Sequence, residues 1–319
     1  MKQYSIIISL CLFIFSCKGQ QKDSGLRYEP DWHPSEWEYT ELKGNVKRVI
    51  TKYQDVTDSY YNEYTKKVVT LESHTYYDTT EYNSFSKPVK SADGSTYSYN
   101  SQNLLVKRVV PSISQEYDAN TNDFIYKPVP RIYTYAYNEA GLVTREENFF
   151  GDKKEIAIAW EYDDKNRLLT RTDQSDSYTI KESYSYGSNT IQLTIHRSGY
   201  SDAGTKFSGS ETYTWIYDER GKKVKKEMTT SLSSDKLISH YRYNDKNQLV
   251  KIESGYSSTQ YKYDKQGNIA EYTYLDPGTG EIIGQWSFAY DKQGNCIYCH
   301  EISKIADTEK ITERKIEYR

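Results

Sequence analysis

Hydrophobic positions along this chain recur in twos. VKRVITKY (Val46–Tyr53) and KKVVTLESHTYY (Lys66–Tyr77) alternate or cluster β-formers. Successive side chains of a strand point to opposite faces, so this is the pattern of half-buried strands. Further on, the alternation is organised by a motif: aromatic, any residue, Tyr, Asp or Asn, two residues, Gly or Asn. Seven segments carry it: YSYNSQN at Tyr97, YAYNEAG at Tyr135, WEYDDKN at Trp160, WIYDERG at Trp215, YRYNDKN at Tyr241, YKYDKQG at Tyr261 and FAYDKQG at Phe288. YSYGSNT at Tyr184 is a decayed eighth copy, and successive copies lie 20 to 38 residues apart.

Each copy predicts strand, tight turn, strand. Aromatic-x-Tyr sets two rings on one strand face. Asp or Asn opens a turn by accepting from its own backbone. Three residues on come Asn103, Gly141, Asn166, Gly221, Asn247, Gly267 and Gly294, the residue types that tolerate positive φ. A type I turn closed by a left-handed residue is a hairpin loop with a bulge. Apolar residues resume at Leu105, Val143, Leu168, Leu249 and Ile269. Looser turns, such as DPGTG (Asp276–Gly280), punctuate the intervals.

This motif resembles the YD repeat of the RHS family, whose consensus is close to Y-x-Y-D-x-x-G-R-L. The likeness runs from about Tyr97 to the C-terminus, and ITERKIEYR (Ile311–Arg319) and ELKGNVKRVITKY (Glu41–Tyr53) are similar to the last and first strands of small YD-repeat lipoproteins. Large RHS toxins wind many more repeats into a closed shell. The expectation for this chain is an all-β antiparallel meander of YD-repeat hairpins, twisted and curled into an open barrel or partial shell. Helix should be scarce.

Composition fits a sheet built on tyrosine. Hydrophobic content is 36%, mean hydropathy is −0.88, and there are 34 Tyr among 319 residues. Lys and Arg number 42 against 45 Asp and Glu, a net charge of −3, which leaves no electrostatic footprint for nucleic acid. The N-terminus reads as an address. Lys2 and the apolar run Ser5–Phe15 resemble a secretory signal, and IFSC (Ile14–Cys17) resembles a lipobox. Residues 1–16 are expected to be a lipoprotein signal, Cys17 the lipidated residue, 17–37 a polar tether and 38–319 a single YD-repeat β domain. The membrane partner is then the lipid anchor, in the cell envelope, with a periplasm-facing anchor favoured because Lys18-Gly19-Gln20-Gln21-Lys22 is not an acidic export run.

One string suggests chemistry. Cys296, Cys299 and His300 form C-x-x-C-H, the spacing of c-type haem attachment. Haem needs that segment to coil. The repeat register makes it a strand, with Gly294 at the turn and Cys296 at a core position, and on a regular strand Cys296 and Cys299 point to opposite faces. A disulfide between them is disfavoured by a separation of about 10 Å along a strand, and no second C-x-x-C completes a zinc site. The acidic turns lack the calcium-loop spacing, and no G-x-S-x-G, H-E-x-x-H or phosphate-binding loop occurs. Rows of Tyr can pack across strands or stack on sugar rings. The resulting expectation is a non-enzymatic lipoprotein without metal or cofactor, whose β domain is a scaffold or binding surface for protein or glycan. The alternatives are a c-type haem carrier through Cys296, Cys299 and His300, and an immunity or accessory protein of a polymorphic toxin.

Overall fold

The computed structural model describes residues 26–27, 42–62, 67–71, 74–118, 123–201, 204–231, 233–305 and 307–319. Among them there are 23 strands and no helix. In chain order the first strands are β1 (Val46–Asn62), β2 (Lys67–Leu71), β3 (His74–Tyr82), β4 (Pro88–Lys90), β5 (Thr96–Tyr99) and β6 (Leu105–Val110). Then come β7 (Ile113–Asp118), β8 (Asp123–Pro128), β9 (Arg131–Tyr137), β10 (Val143–Phe150), β11 (Lys153–Tyr162) and β12 (Leu168–Ser175). They are followed by β13 (Tyr178–Tyr186), β14 (Thr190–Tyr200), β15 (Lys206–Tyr217), β16 (Lys223–Thr230), β17 (Ser233–Tyr243) and β18 (Leu249–Ser254). The last are β19 (Ser258–Tyr263), β20 (Ile269–Leu275), β21 (Ile282–Tyr290), β22 (Cys296–Ser303) and β23 (Thr308–Tyr318).

The expected all-β meander is present, but it is closed. β3 to β6 and β9 to β23 pair in sequence order, all antiparallel, and β1 lies between β3 and β23, so that a ring of 20 strands has no free edge. β2 pairs only with β1, and β7 and β8 form a separate hairpin. Closure replaces the expected open edge with a ladder running from Val46↔Tyr318 to Thr57↔Glu309. Edge strands carry unpaired backbone groups, and only a closed barrel removes them altogether.

A cluster of polar bonds locks this seam. The Lys43 amide donates to Asn295 Oδ1 at 2.6 Å, and Asn295 Nδ2 donates to the Lys43 carbonyl and the Tyr318 hydroxyl. The Tyr318 hydroxyl in turn donates to Asp291. Across the other edge, the Ser86 hydroxyl donates to the Gly44 carbonyl and accepts from the Val46 amide. Arg319 reaches the Tyr82 and Asn83 carbonyls. Gly44 has φ 86°, and a Cβ there would lie 3.1 Å from the Tyr318 ring.

The two faces of the wall differ. Buried partners share one face: Tyr184↔Leu193, Trp215↔Ile191, Tyr261↔Tyr272 and Phe288↔Cys299. The opposite face carries ion pairs, among them Lys262–Glu271, Lys52–Glu313, Arg242–Glu253 and Arg145–Glu147 at 2.7–2.8 Å. The aromatic face is therefore the inner one. A lipid-spanning barrel presents the reverse, an apolar band outward. The buried clusters are built from consecutive strands, β18–β22 and β12–β15. A 20-strand ring exceeds the roughly 16–18 strands at which barrels already enclose water.

Candidate functional site

The seven turn residues named from the sequence all adopt left-handed backbone: Asn103, Gly141, Asn166, Gly221, Asn247, Gly267 and Gly294 have φ between 59° and 90°. At each such turn the Asp or Asn side chain accepts backbone amides. Asp264 Oδ1, for example, accepts Gln266 and Asn268 at 2.9 and 2.8 Å. The same hydrogen-bonded turn also opens at Asn83, Ser91 and Ser201, with Ser86, Gly94 and Gly204 in the left-handed position. The sequence pattern misses them because Thr80 stands where an aromatic is expected before Asn83, and Ser91 and Ser201 replace the acidic or amide residue. All but the Ser91 and Ser201 turns lie on one rim, the turn-bearing rim.

The second Tyr of the repeat has a role that no motif states. Between hairpins the ladder stops short of the turn-bearing rim: β20 and β21 pair only from Glu271↔Ser287 inward. That frees the Ile269 carbonyl, and the Tyr290 hydroxyl donates to it at 2.8 Å. The same clasp recurs from Tyr99 to Pro88, Tyr137 to Leu105, Tyr162 to Val143, Tyr186 to Leu168, Tyr243 to Lys223 and Tyr263 to Leu249, at 2.7–2.9 Å. Beside the decayed copy no clasp is needed. There the ladder itself runs to Thr190↔Ile216, and the Asn189 carbonyl accepts the Tyr217 amide. Burial pushes the phenols of Tyr137, Tyr162 and Tyr186 up to about 12.

The C-x-x-C-H stretch is extended in β22, but its faces differ from expectation. Cys299 pairs with Phe288 and Cys296 with Tyr290, across a register shift that leaves Ile297 unpaired. The bulge turns both sulfurs to the inner face, where they are buried in one cluster with Tyr261, Tyr272 and Phe288. The opposite-face expectation is thus corrected: each of the seven full copies bulges just past its turn, and one extra residue reverses the alternation. His300 pairs with Ser287 on the outer face and bonds Glu309 at 2.7 Å. The three groups do not converge on one porphyrin plane. Among the described residues no group of three His, Cys, Asp or Glu could hold a metal ion. Cys17 lies outside the described residues.

A polar patch that the sequence did not flag lies on the inner wall of β6 and β9–β13. Across the strands run Arg108↔Tyr133↔Asn148, then Glu146↔Ile158↔Asp173, then Trp160↔Arg171↔Glu182. Arg171 bonds Glu182 at 2.8 Å and stands 3.6 Å from Asp173. Asn148 and Asp173 are only 6% and 7% exposed, yet Asn148 Oδ1 and Asp173 Oδ1 have no hydrogen-bond partner, nor does Arg108 Nε. Burial raises the pKa of Glu146 and of Asp173, each against the pull of Arg171. Buried polar atoms normally find partners, so these point to a ligand or ordered water. Spacing could not show this patch, because its members are 74 residues apart in the chain, from Arg108 to Glu182, and meet only through pairing.

No protein-family model matches the chain, and no curated protein matches it. Among solved structures, a porin-like protein from Bacteroides vulgatus overlaps with 12% identity and a TM-score of 0.32, over 86% of this chain and 98% of that one. The TcdB2-TccC3-TEV structure overlaps with 11% identity and a TM-score of 0.26, over 77% of this chain; this chain spans about a fifth of that one (20%). Likenesses at these TM-scores carry no argument about what the barrel does.

Proposed function

We propose that this chain is a non-enzymatic cell-envelope lipoprotein of the YD-repeat kind, anchored through Cys17, whose barrel is a binding surface for glycan. The observation that carries the reading is the set of orphaned polar atoms on the inner wall: Asn148 Oδ1, Asp173 Oδ1 and Arg108 Nε. Two of these need donors and one needs an acceptor. A hydroxyl group can serve as either. Trp160 stands in the same rows and is an aromatic ring of the kind on which a sugar's C–H face can lie, while Tyr133 carries the Arg108 guanidinium over its ring. A polyhydroxylated ligand therefore fits better than a purely apolar or purely ionic one.

The test is a glycan array probed with the full chain carrying Cys17→Ser, with affinities then measured by calorimetry. Trp160→Ala and Asn148→Ala should each weaken binding at least tenfold. An array without binders, together with capture of a protein from solubilised envelope, would replace glycan by protein as the ligand class. Anchoring is tested separately: an alkyne-tagged fatty acid should label the wild-type chain and not Cys17→Ser.

A further inference from the structure

One contact on the inner wall involves no strand. Leu26 packs against the cluster of Tyr184, Ile191, Leu193, Trp215 and Tyr217 on β13–β15, with Leu168 of β12 at its edge. The charge of Arg27 is felt at the Tyr186 phenol. Every one of these cluster residues faces inward, and Tyr186, Leu168 and Tyr217 lie at the turn-bearing rim. Leu26 therefore sits inside the barrel, near that mouth.

We propose that the segment Leu26–Arg27 is a built-in occupant of the barrel, held there by Leu26 in the aromatic cluster of β12–β15. That seat adjoins the Arg171–Glu182 pair, since Tyr184 of the cluster donates to Glu182 at 2.8 Å. Where the inner wall is the ligand surface, as argued above, the segment regulates it, and an external ligand must share the wall with it or displace it. This regulatory consequence rests on the glycan reading; the seating of Leu26 does not.

Limited trypsin digestion of the full chain with Cys17→Ser tests the seating directly. Mass spectrometry follows cleavage of the Arg27–Tyr28 bond, because a protease needs several residues extended and free. In the otherwise unchanged chain this bond should be cut at least tenfold more slowly than in a synthetic peptide spanning residues 22–33. Leu26→Asp should restore cleavage to near the peptide rate while leaving the urea midpoint of the barrel unchanged. Acrylamide should quench Trp215, isolated by comparison with Trp215→Phe, more strongly in the Leu26→Asp chain. Cleavage of the unchanged chain at the peptide rate would overturn the proposal without any variant having to fold. The digestion contains no ligand, so seating can hold while glycan binding fails, or fail while binding holds. If both hold, Leu26→Asp should bind the array glycan several-fold more tightly, and unchanged affinity would remove the regulatory role.

Discussion

At the scale of single residues, the recurring tyrosine is a hydrogen-bond donor as much as a hydrophobe. Its ring covers the inner wall, and its hydroxyl supplies the partner that the ladder withholds from one carbonyl per repeat. Tyr263→Phe removes one such bond and leaves the Leu249 carbonyl without it. A loss of about 1–2 kcal/mol is expected, read as a lower urea midpoint with the m-value unchanged. The clasps also set an alkaline limit. Tyr137, Tyr162 and Tyr186 are pushed up to about 12 by burial, against roughly 10 for a free phenol. The folded state holds these protons more tightly than the unfolded chain. Stability is therefore full below pH 10 and falls as pH rises toward 12. A buried fraction of the phenolate absorbance at 295 nm should appear only together with loss of β-sheet circular dichroism. Complete titration of all 34 phenols with the sheet intact would contradict the clasps.

At the scale of elements, the unit is a hairpin with a fixed bulge. The register shifts between Glu161 and Tyr162, Ile216 and Tyr217, Arg242 and Tyr243, Lys262 and Tyr263, and Ala289 and Tyr290. This offset places the residue after the turn on the same face as the clasp tyrosine, and it is why both cysteines of β22 face inward. The turn depends on its left-handed residue. Gly267 has φ 90°, with no contact tighter than the 3.4 Å to Gln248 that an added Cβ would make. Gly267→Ala is thus mainly a test of backbone strain, expected to cost about 1–2 kcal/mol, while Gly267→Asn should cost much less. Equal thermal midpoints for the two variants would show that the turn tolerates any residue there.

At the scale of the whole molecule, the decisive event is closure. Twenty paired strands leave no edge to protect, and the seam is where closure can be tested. Burial works to raise the Asp291 pKa, but hydrogen bonds from Tyr318, Asn295 and Gln293 outweigh it and hold the carboxyl below its usual range. Asn295→Ala deletes the bonds to Lys43 and Tyr318 together. It should destabilise the barrel by about 2–3 kcal/mol and speed amide exchange in β1 and β23 ahead of β13 and β14. Uniform exchange across all four strands would mean that the seam is no weaker than the rest of the wall.

Much of this was legible in the chain itself, for a local reason. Turn chemistry is set by four or five adjacent residues, so the Asp or Asn acceptors and the left-handed Gly or Asn positions stand out, and with them the strands they join. Where a copy substitutes its marker residues, as at Thr80 and Ser86 or at Ser91, the turn forms and the motif disappears. The bulge at Ile297 was not legible, because an alternating pattern is counted one residue at a time and a single extra residue inverts it. The inner polar patch was hidden for another reason. Arg108, Asn148 and Asp173 are ordinary residues in three separate hairpins, and only cross-strand pairing brings them to one wall. The hairpin unit, its turns and its tyrosine-rich face are written in the chain, because they follow from local backbone preference and alternation. That the meander closes, which face is inner, and what meets there emerge only on folding. Those outcomes depend on contacts such as Val46 with Tyr318, between residues far apart in the chain, and no local preference encodes them.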